Sequence, residues 1–399
     1  MVTRKSVPKD ESTNLSLEAL FYLFLRRIKM SKLHYDIVGS FLRPKDLKNA
    51  RADFEDGKIS KYELVEVENK NIKKLVDQEI AAGLKIVTDG EFRRSYWHLD
   101  TFWGFNGIAH IQKKHGYLFH DEETRKDSAI VNGKISFSGD HPDLEAFKFL
   151  RNITKDKNVI PRQSIPSPAQ FYSELIRDQD NITAVKKYYP NEEDLFTDIS
   201  TAYRNLILAL YEAGCRDLKL DDCTWGVLVD QNLLAIYESL GFTQNQLCKI
   251  FLKLNNDAID NLPDDLRIST HICRGNYHST WATSGGYDAV ADYVFAKENV
   301  DAFYLEFDDE RSGHFDPIAK IPADKEVVLG IVTSKKPELE DPTKLKERIK
   351  EATAFHNLDK LALSTQCGFS STEEGNKLTD KEQWDKINLV LNTANEIWN

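Results

Sequence analysis

The stretch RISTHICRGNYHST, residues 267–280, places an imidazole and a thiol two positions apart. Its first half is rich in β-branched residues, which favours a strand, and residues i and i+2 of a strand point to the same side. His271 and Cys273 would therefore present two soft donor groups side by side. Such a pair either binds a metal ion or packs in a core, and the pair alone does not separate these interpretations.

Two further donors stand at the ends of later apolar segments. Glu306 closes the run AFYLE, and Cys367 follows LALST by two residues. Together the candidates offer one imidazole, two thiolates and one carboxylate, a set that suits tetrahedral zinc better than magnesium or calcium. Ligands from three distant segments are typical of catalytic sites, whereas structural zinc sites use closely spaced cysteine pairs. We therefore predict a zinc site formed by His271, Cys273, Glu306 and Cys367.

The carboxylate is the exchangeable member of this predicted set. Glu306 is a hard ligand beside soft thiolates, so a substrate thiol could replace it and lose its proton. The pattern thus predicts activation of a thiol for alkyl transfer, with Glu306 as a catalytic residue. A zinc hydrolase is less favoured, because two thiolates make the metal less electrophilic towards water and no base stands beside the ligands.

Eight short apolar segments alternate with longer amphipathic stretches, which predicts an α/β fold with a single (β/α)8 barrel. The predicted strands are 35–41, 85–92, 158–166, 217–222, 267–275, 302–309, 326–332 and 361–369. Between strands two and three, SAIVNGKISFSG predicts a hairpin that turns at Asn132-Gly133, and hence a β-ribbon insertion. Gly83 predicts the end of one helix, and Asp341 with Pro342 predicts the start of another.

Such barrels carry their chemistry at the C-terminal ends of the strands. Polar residues gather there in this sequence. Ser40 stands at the end of the first predicted strand, Glu91 at the second and Asp221 at the fourth, in addition to the candidate metal ligands. The aromatic group YWHLDTFWGF, residues 96–105, is either a stacking wall for a flat ligand or part of the core.

Composition narrows the class of protein. The chain has 399 residues, 41% of them hydrophobic, and a net charge of -11, which argues against a nucleic-acid partner. No segment has the length of a membrane span, so we expect no membrane partner and a cytoplasmic location. The five cysteines predict reduced thiols. We interpret Cys215, Cys223 and Cys248 as buried apolar residues, with Cys223 close enough to Asp221 to line a pocket.

The N-terminus is interpreted separately from the barrel. Residues 1–30 are either a disordered extension, a stretch upstream of the true start at Met30, or a helix packed on the domain surface. Residues 31–399 are predicted to form the catalytic barrel.

From about residue 33 to its end, the chain resembles the C-terminal catalytic half of cobalamin-independent methionine synthase in its stand-alone, single-barrel form. The motifs that carry this resemblance are VGSFLRP, VTDGEF, LKLDD, STHICRGN, FYLEFD, VVLGIVTSKKPELED and LSTQCGF. The resemblance implies a zinc enzyme that transfers a methyl group to the thiol of homocysteine, with zinc on the four residues predicted above.

The resemblance also implies how the amino-acid substrate is held. Its positions match Ser40, Glu91 and Asp221, with Asp221 counted among the catalytic residues as well. An ammonium group needs carboxylates, and a carboxylate group accepts hydrogen bonds from hydroxyl and backbone donors, so these residue types suit homocysteine.

The sequence departs from the family pattern in three places. It does not contain the second barrel of the full-length enzymes. The family's Asp-Ile-His-Ser run, whose histidine is a candidate proton donor, is replaced by Val332-Thr333-Ser334-Lys335. The segment PSPAQFYSEL lacks the tryptophan that stacks on folate in the long enzymes.

These departures leave the methyl donor and the activity open. Methyl-folate is the implied donor, and a methyl-corrinoid is the alternative. The second functional hypothesis is a related zinc methyltransferase that acts on a different thiol or donor. The third is a non-catalytic zinc- and thiol-binding sensor, which would bind homocysteine without turnover.

Overall fold

The computed structural model describes residues 33–398, and its strands alternate with helices along the chain. The strands are β1 (Ile86–Val87), β2 (Asn106–Gln112), β3 (Leu118–Phe119), β4 (Glu122–Glu123), β5 (Asp127–Ser136), β6 (Ile160–Pro161), β7 (Gln163–Pro166), β8 (Asp217–Asp221), β9 (Arg267–Ile272), β10 (Ala302–Glu306), β11 (Glu326–Val332) and β12 (Leu361–Thr365). Six strands form one parallel sheet in the order β12-β11-β10-β9-β8-β7, and β1 pairs in parallel with β6. The result is an α/β fold of the TIM-barrel type.

The helices lie between these strands. They are α1 (Lys45–Glu55), α2 (Lys61–Ala82), α3 (Leu99–Phe102), α4 (Pro142–Thr154), α5 (Pro168–Leu175), α6 (Gln179–Tyr188), α7 (Glu192–Glu212), α8 (Thr224–Val229), α9 (Gln231–Ser239), α10 (Gln244–Ile259), α11 (Val294–Lys297), α12 (Pro342–Ala352) and α13 (Asp380–Trp398). Gly83 ends α2 in the left-handed region, and the Asp341 side chain caps α12 with Pro342 in its first turn, as predicted.

The first predicted strand, residues 35–41, was wrong as a regular strand. The segment makes only isolated parallel bridges, from Tyr35 to Leu363 and from Ser40 to Gly90. The backbone carbonyls between these bridges accept hydrogen bonds from a side chain instead: the ammonium of buried Lys219 lies 3.0 Å and 2.9 Å from two successive carbonyl oxygens. These contacts satisfy backbone acceptors of a segment that has no continuous strand ladder.

The other seven predicted strands are found, but most end earlier than predicted. Strand β11 has the predicted bounds, whereas β9, β10 and β12 stop three or four residues short. The third prediction, 158–166, is split into β6 and β7 at Arg162, whose buried guanidinium pairs with Asp36 and Asp217. The shortened ends leave Cys273 and Cys367 in the loops that follow the strands.

A β-ribbon lies in the chain between β1 and β6. Strands β2 and β5 pair in antiparallel fashion, and β5 runs without interruption from Asp127 to Ser136. The predicted hairpin turn at Asn132-Gly133 was therefore wrong. These two residues lie where the register shifts opposite Gly107. Gly107 has φ +80°, and a Cβ added to it would lie 2.3 Å from the carbonyl oxygen of Lys134, so the position requires glycine. The Asn-Gly pair thus accommodates a bulge rather than a reversal of the chain.

The interior is built from the apolar faces of these elements. Leu218, Leu220, Phe303, Leu329 and Leu363 are completely or almost completely buried among the strands and helices. No helix within residues 33–398 has the length and hydropathy that a membrane crossing would need. The interpretation of residues 1–30 as an extension lies outside the described residues.

Candidate active site

A group of three metal-capable side chains lies at the C-terminal ends of the parallel strands. His271 is on β9, Cys273 follows that strand, and Cys367 follows β12. One donor atom from each lies within 4.8 Å of the other two, and all three residues are buried. The local backbone is held in place, since the Thr365 hydroxyl donates a hydrogen bond of 2.8 Å to the Cys367 carbonyl. The structure thus brings together three of the four predicted ligands.

The chemistry of this group suits a zinc ion. Both ring nitrogens of His271 are buried and have no hydrogen-bond partner among the described residues, a costly arrangement unless a ligand satisfies one of them. Hydrogen bonds from the thiols of Cys223 and Cys367 hold the pKa of Cys273 well below its usual range. An imidazole and a stabilised thiolate are the donors that zinc prefers. The residues present therefore fit zinc, and three of them could hold it.

Glu306, the fourth predicted ligand, is not part of the three-residue group. Its carboxylate accepts a hydrogen bond of 2.7 Å from the backbone N–H of Arg274, and its other oxygen lies 3.4 Å from the side chains of Lys335 and Arg311. Burial raises the pKa of Glu306 to about 7, although Lys335 opposes the shift. The Glu306 carboxylate therefore makes its hydrogen bonds and ion pairs with two cations and a backbone N–H rather than with the cysteines.

A cavity of about 310 Å³ opens above the thiols. The three residues predicted to hold an amino acid, Ser40, Glu91 and Asp221, all line it, together with His271 and both candidate cysteine ligands. Because the parallel strands end at the same edge, side chains from the first, second and fourth predicted strands meet in one space. Thiols and carboxylates therefore line the same cavity.

Glu91 has an unusual backbone conformation. Its φ is +59°, a left-handed value uncommon for a residue with a side chain. The surroundings hold it there: the Asp89 carboxylate accepts a hydrogen bond from the Glu91 N–H, and buried Arg43 donates one to the Glu91 carbonyl. Burial raises the pKa of Glu91 to about 7, against the opposing charge of Arg94 and with a further contribution from Asp221. Residues with strained backbone conformations of this kind are concentrated at functional sites.

Asp221 lies at the end of β8, level with His271 on the neighbouring strand. It is buried, and one carboxylate oxygen has no hydrogen-bond partner among the described residues. Burial raises its pKa, while His271 and Lys219 oppose the shift. With Glu91, this residue gives the cavity two carboxylates that are short of hydrogen-bond donors.

Ser40 is packed against the loop that carries Cys367. Its hydroxyl oxygen accepts a hydrogen bond of 3.4 Å from the Ser370 N–H. A Cβ added to Gly368 would lie 1.9 Å from that hydroxyl oxygen, so the approach depends on glycine. Ser40 thereby presents a hydroxyl to the cavity next to a candidate metal ligand.

The aromatic group at residues 96–105 lies partly along the cavity and partly in the core. Tyr96, Trp97 and His98 line the cavity, whereas Leu99 and Phe102 on α3 are completely buried in the core. Tyr117 and Phe119, from the segment between β2 and β5, also line the cavity and were not singled out by the sequence interpretation. Their signal was weak, because nothing in the local sequence places this segment over the strand ends.

The sequence interpretation also gave too little weight to Cys223 as a residue of the site. It follows β8, is half-buried, lines the cavity, and has its sulfur 3.1 Å from that of Cys273. The prediction that it could line a pocket is confirmed, but its contact with a candidate ligand was not foreseen. Its closeness to Asp221 in sequence was the signal that could have found it.

The fold and the site define a class of protein: a parallel α/β structure in which an imidazole and two thiols form a metal-capable centre below a substrate cavity. Residues 35–157 and 181–383 match the family described as cobalamin-independent synthase, catalytic domain. The chain belongs to this family of methyltransferases, the cobalamin-independent methionine synthases. The intervening residues, 158–180, lie outside the match and supply Gln170 to the cavity wall.

Individual relatives agree with the family. The chain is 44% identical over 365 residues to the uncharacterized protein YxjH of Bacillus subtilis, covering 91% of this chain and 94% of that one. It is 22% identical over 353 residues to the methionine synthase of Saccharolobus solfataricus, covering 85% and 89%. A crystal structure from Listeria monocytogenes, described as a candidate vitamin-B12-independent methionine synthase, superposes with a TM-score of 0.72 at 36% identity, covering 92% of this chain and 98% of that one.

Proposed function

We propose that this protein is a zinc-dependent methyltransferase that methylates the thiol of homocysteine to form methionine. The observation that carries the proposal is the buried group of His271, Cys273 and Cys367 on the floor of a cavity lined by carboxylates. The family membership supports the same reaction type.

The three clustered residues would hold zinc, which when bound supplies the Lewis acidity that keeps a thiol deprotonated near neutral pH. Glu306 is proposed as the fourth, exchangeable ligand. Lys335 and Arg311 support this role, because they offer the carboxylate a neutralised position away from the thiols. Lys335 comes from the run that replaces the family's histidine, so this part of the site carries a cation that pairs with Glu306.

The substrate's amino-acid group is proposed to bind to the residues predicted for it. Glu91 and Asp221 would accept hydrogen bonds from the ammonium, since each has a buried carboxylate oxygen without a partner among the described residues. The Ser40 hydroxyl would donate to the substrate carboxylate. Two acids and one hydroxyl around a buried cavity give both ends of an amino acid a complementary partner.

The affinity for methionine is expected to decrease as the pH falls through 7. The pKa of Glu91 is raised to about 7 by burial, so its carboxylate is ionised above that pH and protonated below it. Binding of an ammonium group should weaken about tenfold from the high-pH plateau to pH ~6. Methionine is the appropriate probe in isothermal titration calorimetry, because it has no thiol whose own titration would confuse the result.

Glu91→Gln is the control for this prediction. The variant should bind methionine more weakly and without the pH dependence near 7. If the same pH dependence persists in Glu91→Gln, another group such as Asp221 is responsible, and the assignment to Glu91 is wrong.

Methyl-folate is proposed as the donor in preference to a methyl-corrinoid. Trp97 lines the cavity and is only partly buried, so its ring could contact a flat heterocycle. Tyr96 and Tyr117 also line the cavity, but each already has an arginine guanidinium over its ring. Gln170, from the segment outside the family match, has a buried amide oxygen without a partner among the described residues. It could pair with an N–H group of such a donor.

The proposal includes a closed (β/α)8 barrel over residues 31–399 with a β-ribbon between its second and third strands. The parallel bridges of Tyr35 with Leu363 and of Ser40 with Gly90 support closure, since they connect the first segment to β12 on one side and to the end of the second predicted strand on the other. A cytoplasmic location is part of the proposal, because free thiols persist in a reducing compartment.

The decisive experiment measures zinc content together with methionine formation from homocysteine. Methyl-folate, as mono- and polyglutamate, and methylcobalamin are offered separately. One zinc per chain with methionine formed from methyl-folate is the expected result. Turnover with methylcobalamin alone would replace the folate by a corrinoid donor. Zinc and homocysteine binding without turnover from either donor would contradict the proposal and favour a sensor.

A further inference from the structure

Cys223 contacts a candidate metal ligand without belonging to the metal-capable group. Its sulfur lies 3.1 Å from that of Cys273, yet the group whose donor atoms all lie within 4.8 Å of one another consists of His271, Cys273 and Cys367. A fourth tetrahedral ligand would have to be close to all three. Cys223 approaches Cys273 but does not lie within 4.8 Å of the whole group. Its position is therefore better suited to a reaction with Cys273 than to binding the metal.

The backbone brings the two cysteines together from adjacent strands. Asp221 on β8 pairs with His271 on β9, and the N–H of Asp222 donates a hydrogen bond of 2.8 Å to the His271 carbonyl. Cys223 and Cys273 each follow this paired stretch by one or two residues. Neighbouring strands are about 4.8 Å apart, which falls within the Cα separations that disulfides span. Closing a bond requires a sulfur movement of about 1 Å rather than a rearrangement of the backbone.

The two sulfurs differ in access. Both cysteines line the cavity, where Cys223 is half-buried and Cys273 is only 4% exposed. A small oxidant that enters the cavity therefore reaches two thiols whose sulfurs lie 3.1 Å apart. Two adjacent thiols of this kind can pass from a sulfenic acid to a disulfide.

We infer that Cys223 and Cys273 form a reversible disulfide that removes Cys273 from the metal-binding set. The inference rests on the proposed function in that it assigns the same thiol group to zinc. Hydrogen peroxide, which enters the cavity that both cysteines line, oxidises one of the two thiols to a sulfenic acid and releases one water. The sulfur of the other cysteine then attacks the sulfur of the sulfenic acid, the S–O bond breaks, and the second water leaves. Two thiols and one peroxide thus give one disulfide and two waters.

The first test detects the bond in the metal-free protein. The protein is treated with hydrogen peroxide, its remaining thiols are alkylated, and its peptides are analysed by mass spectrometry. A peptide pair joined through Cys223 and Cys273, and lost on treatment with dithiothreitol, is the expected product. Its absence, or a dominant bond between Cys273 and Cys367, would overturn the inference. Because this test needs no zinc, it can succeed or fail independently of the proposed function.

The second test follows zinc release from the loaded protein with a chromogenic chelator. Cys223→Ser and Cys223→Ala should bind as much zinc as the unsubstituted protein. Under peroxide they should release it at least about tenfold more slowly, since the disulfide that removes Cys273 from the metal-binding set cannot form without the Cys223 sulfur. Cys248→Ala, which removes a buried thiol elsewhere, should release zinc at the unsubstituted rate.

Two outcomes of the second test would overturn the inference. Equal release rates from the Cys223 variants and the unsubstituted protein would mean that peroxide attacks the ligands directly. A lower zinc content of both Cys223 variants before any oxidant is added would make Cys223 a ligand instead of a redox partner.

Discussion

Cys367→Ser is expected to abolish zinc binding and methyl transfer together. The Cys367 sulfur is one of three donors within 4.8 Å, and a serine hydroxyl stays protonated near neutral pH and is a poor zinc ligand. Removal of a residue that only supports a ligand typically costs ~10–100-fold in metal affinity or activity, so loss of a ligand should cost more, at least about 1,000-fold in activity.

Zinc per chain and initial rate are measured on the same preparation of this variant. The fold should survive, because the hydrogen bond that Thr365 makes to this loop goes to the Cys367 backbone carbonyl and not to the sulfur. Cys248→Ala serves as the matched control, since Cys248 is a buried thiol in α10 that does not line the cavity. A zinc-free Cys367→Ser protein that still forms methionine would defeat the proposed chemistry.

Asp221→Asn is expected to weaken binding of the amino-acid substrate while zinc is retained. The substitution keeps the shape of the side chain but removes the charge that attracts the ammonium. Hydrogen bonds to charged groups contribute about 1.5–3 kcal/mol, so the dissociation constant for methionine should rise roughly 10–150-fold. Calorimetry with methionine and metal analysis of the same sample measure the two quantities separately.

Asp292→Asn is the control for this second variant. Asp292 is an exposed carboxylate that pairs with Lys320 at the surface, so its replacement changes the net charge of the protein without changing the cavity. If Asp221→Asn loses zinc, its main role is instead to support His271, which lies level with it on the neighbouring strand.

The candidate site could be predicted to a large extent because its pieces obey local rules. Residues i and i+2 of a strand share a side, which predicted that His271 and Cys273 lie together; in the structure β9 ends at Ile272, and Cys273 still lies beside His271 from the loop that follows. The rule that parallel strands carry polar residues at their C-terminal ends placed Ser40, Glu91 and Asp221 around one cavity. Both rules depend on the periodicity and position of strands, which short-range sequence patterns express well.

The partners of these groups depend on distances across the fold. The 3.1 Å contact of Cys223 with Cys273 and the ion pair of Lys335 with Glu306 join residues 50 and 29 positions apart. The two wrong local predictions, the first strand and the turn at Asn132-Gly133, also depend on contacts with distant parts of the chain. The first segment pairs with its neighbours only in isolated bridges and accepts hydrogen bonds from the buried Lys219 side chain, and a register shift places Asn132-Gly133 in a bulge rather than a turn.

The amino-acid sequence alone therefore determined the class of fold, the candidate ligands and the strand ends that carry them, because hydrophobic periodicity and strand-end residues are local properties. Only the tertiary structure decided that Glu306 faces two cations, that Cys223 contacts Cys273 and that the segment between β2 and β5 contributes aromatic side chains to the cavity. Side chains far apart in sequence compete for the same buried charges and space, and the packing of the whole chain selects which pairs form.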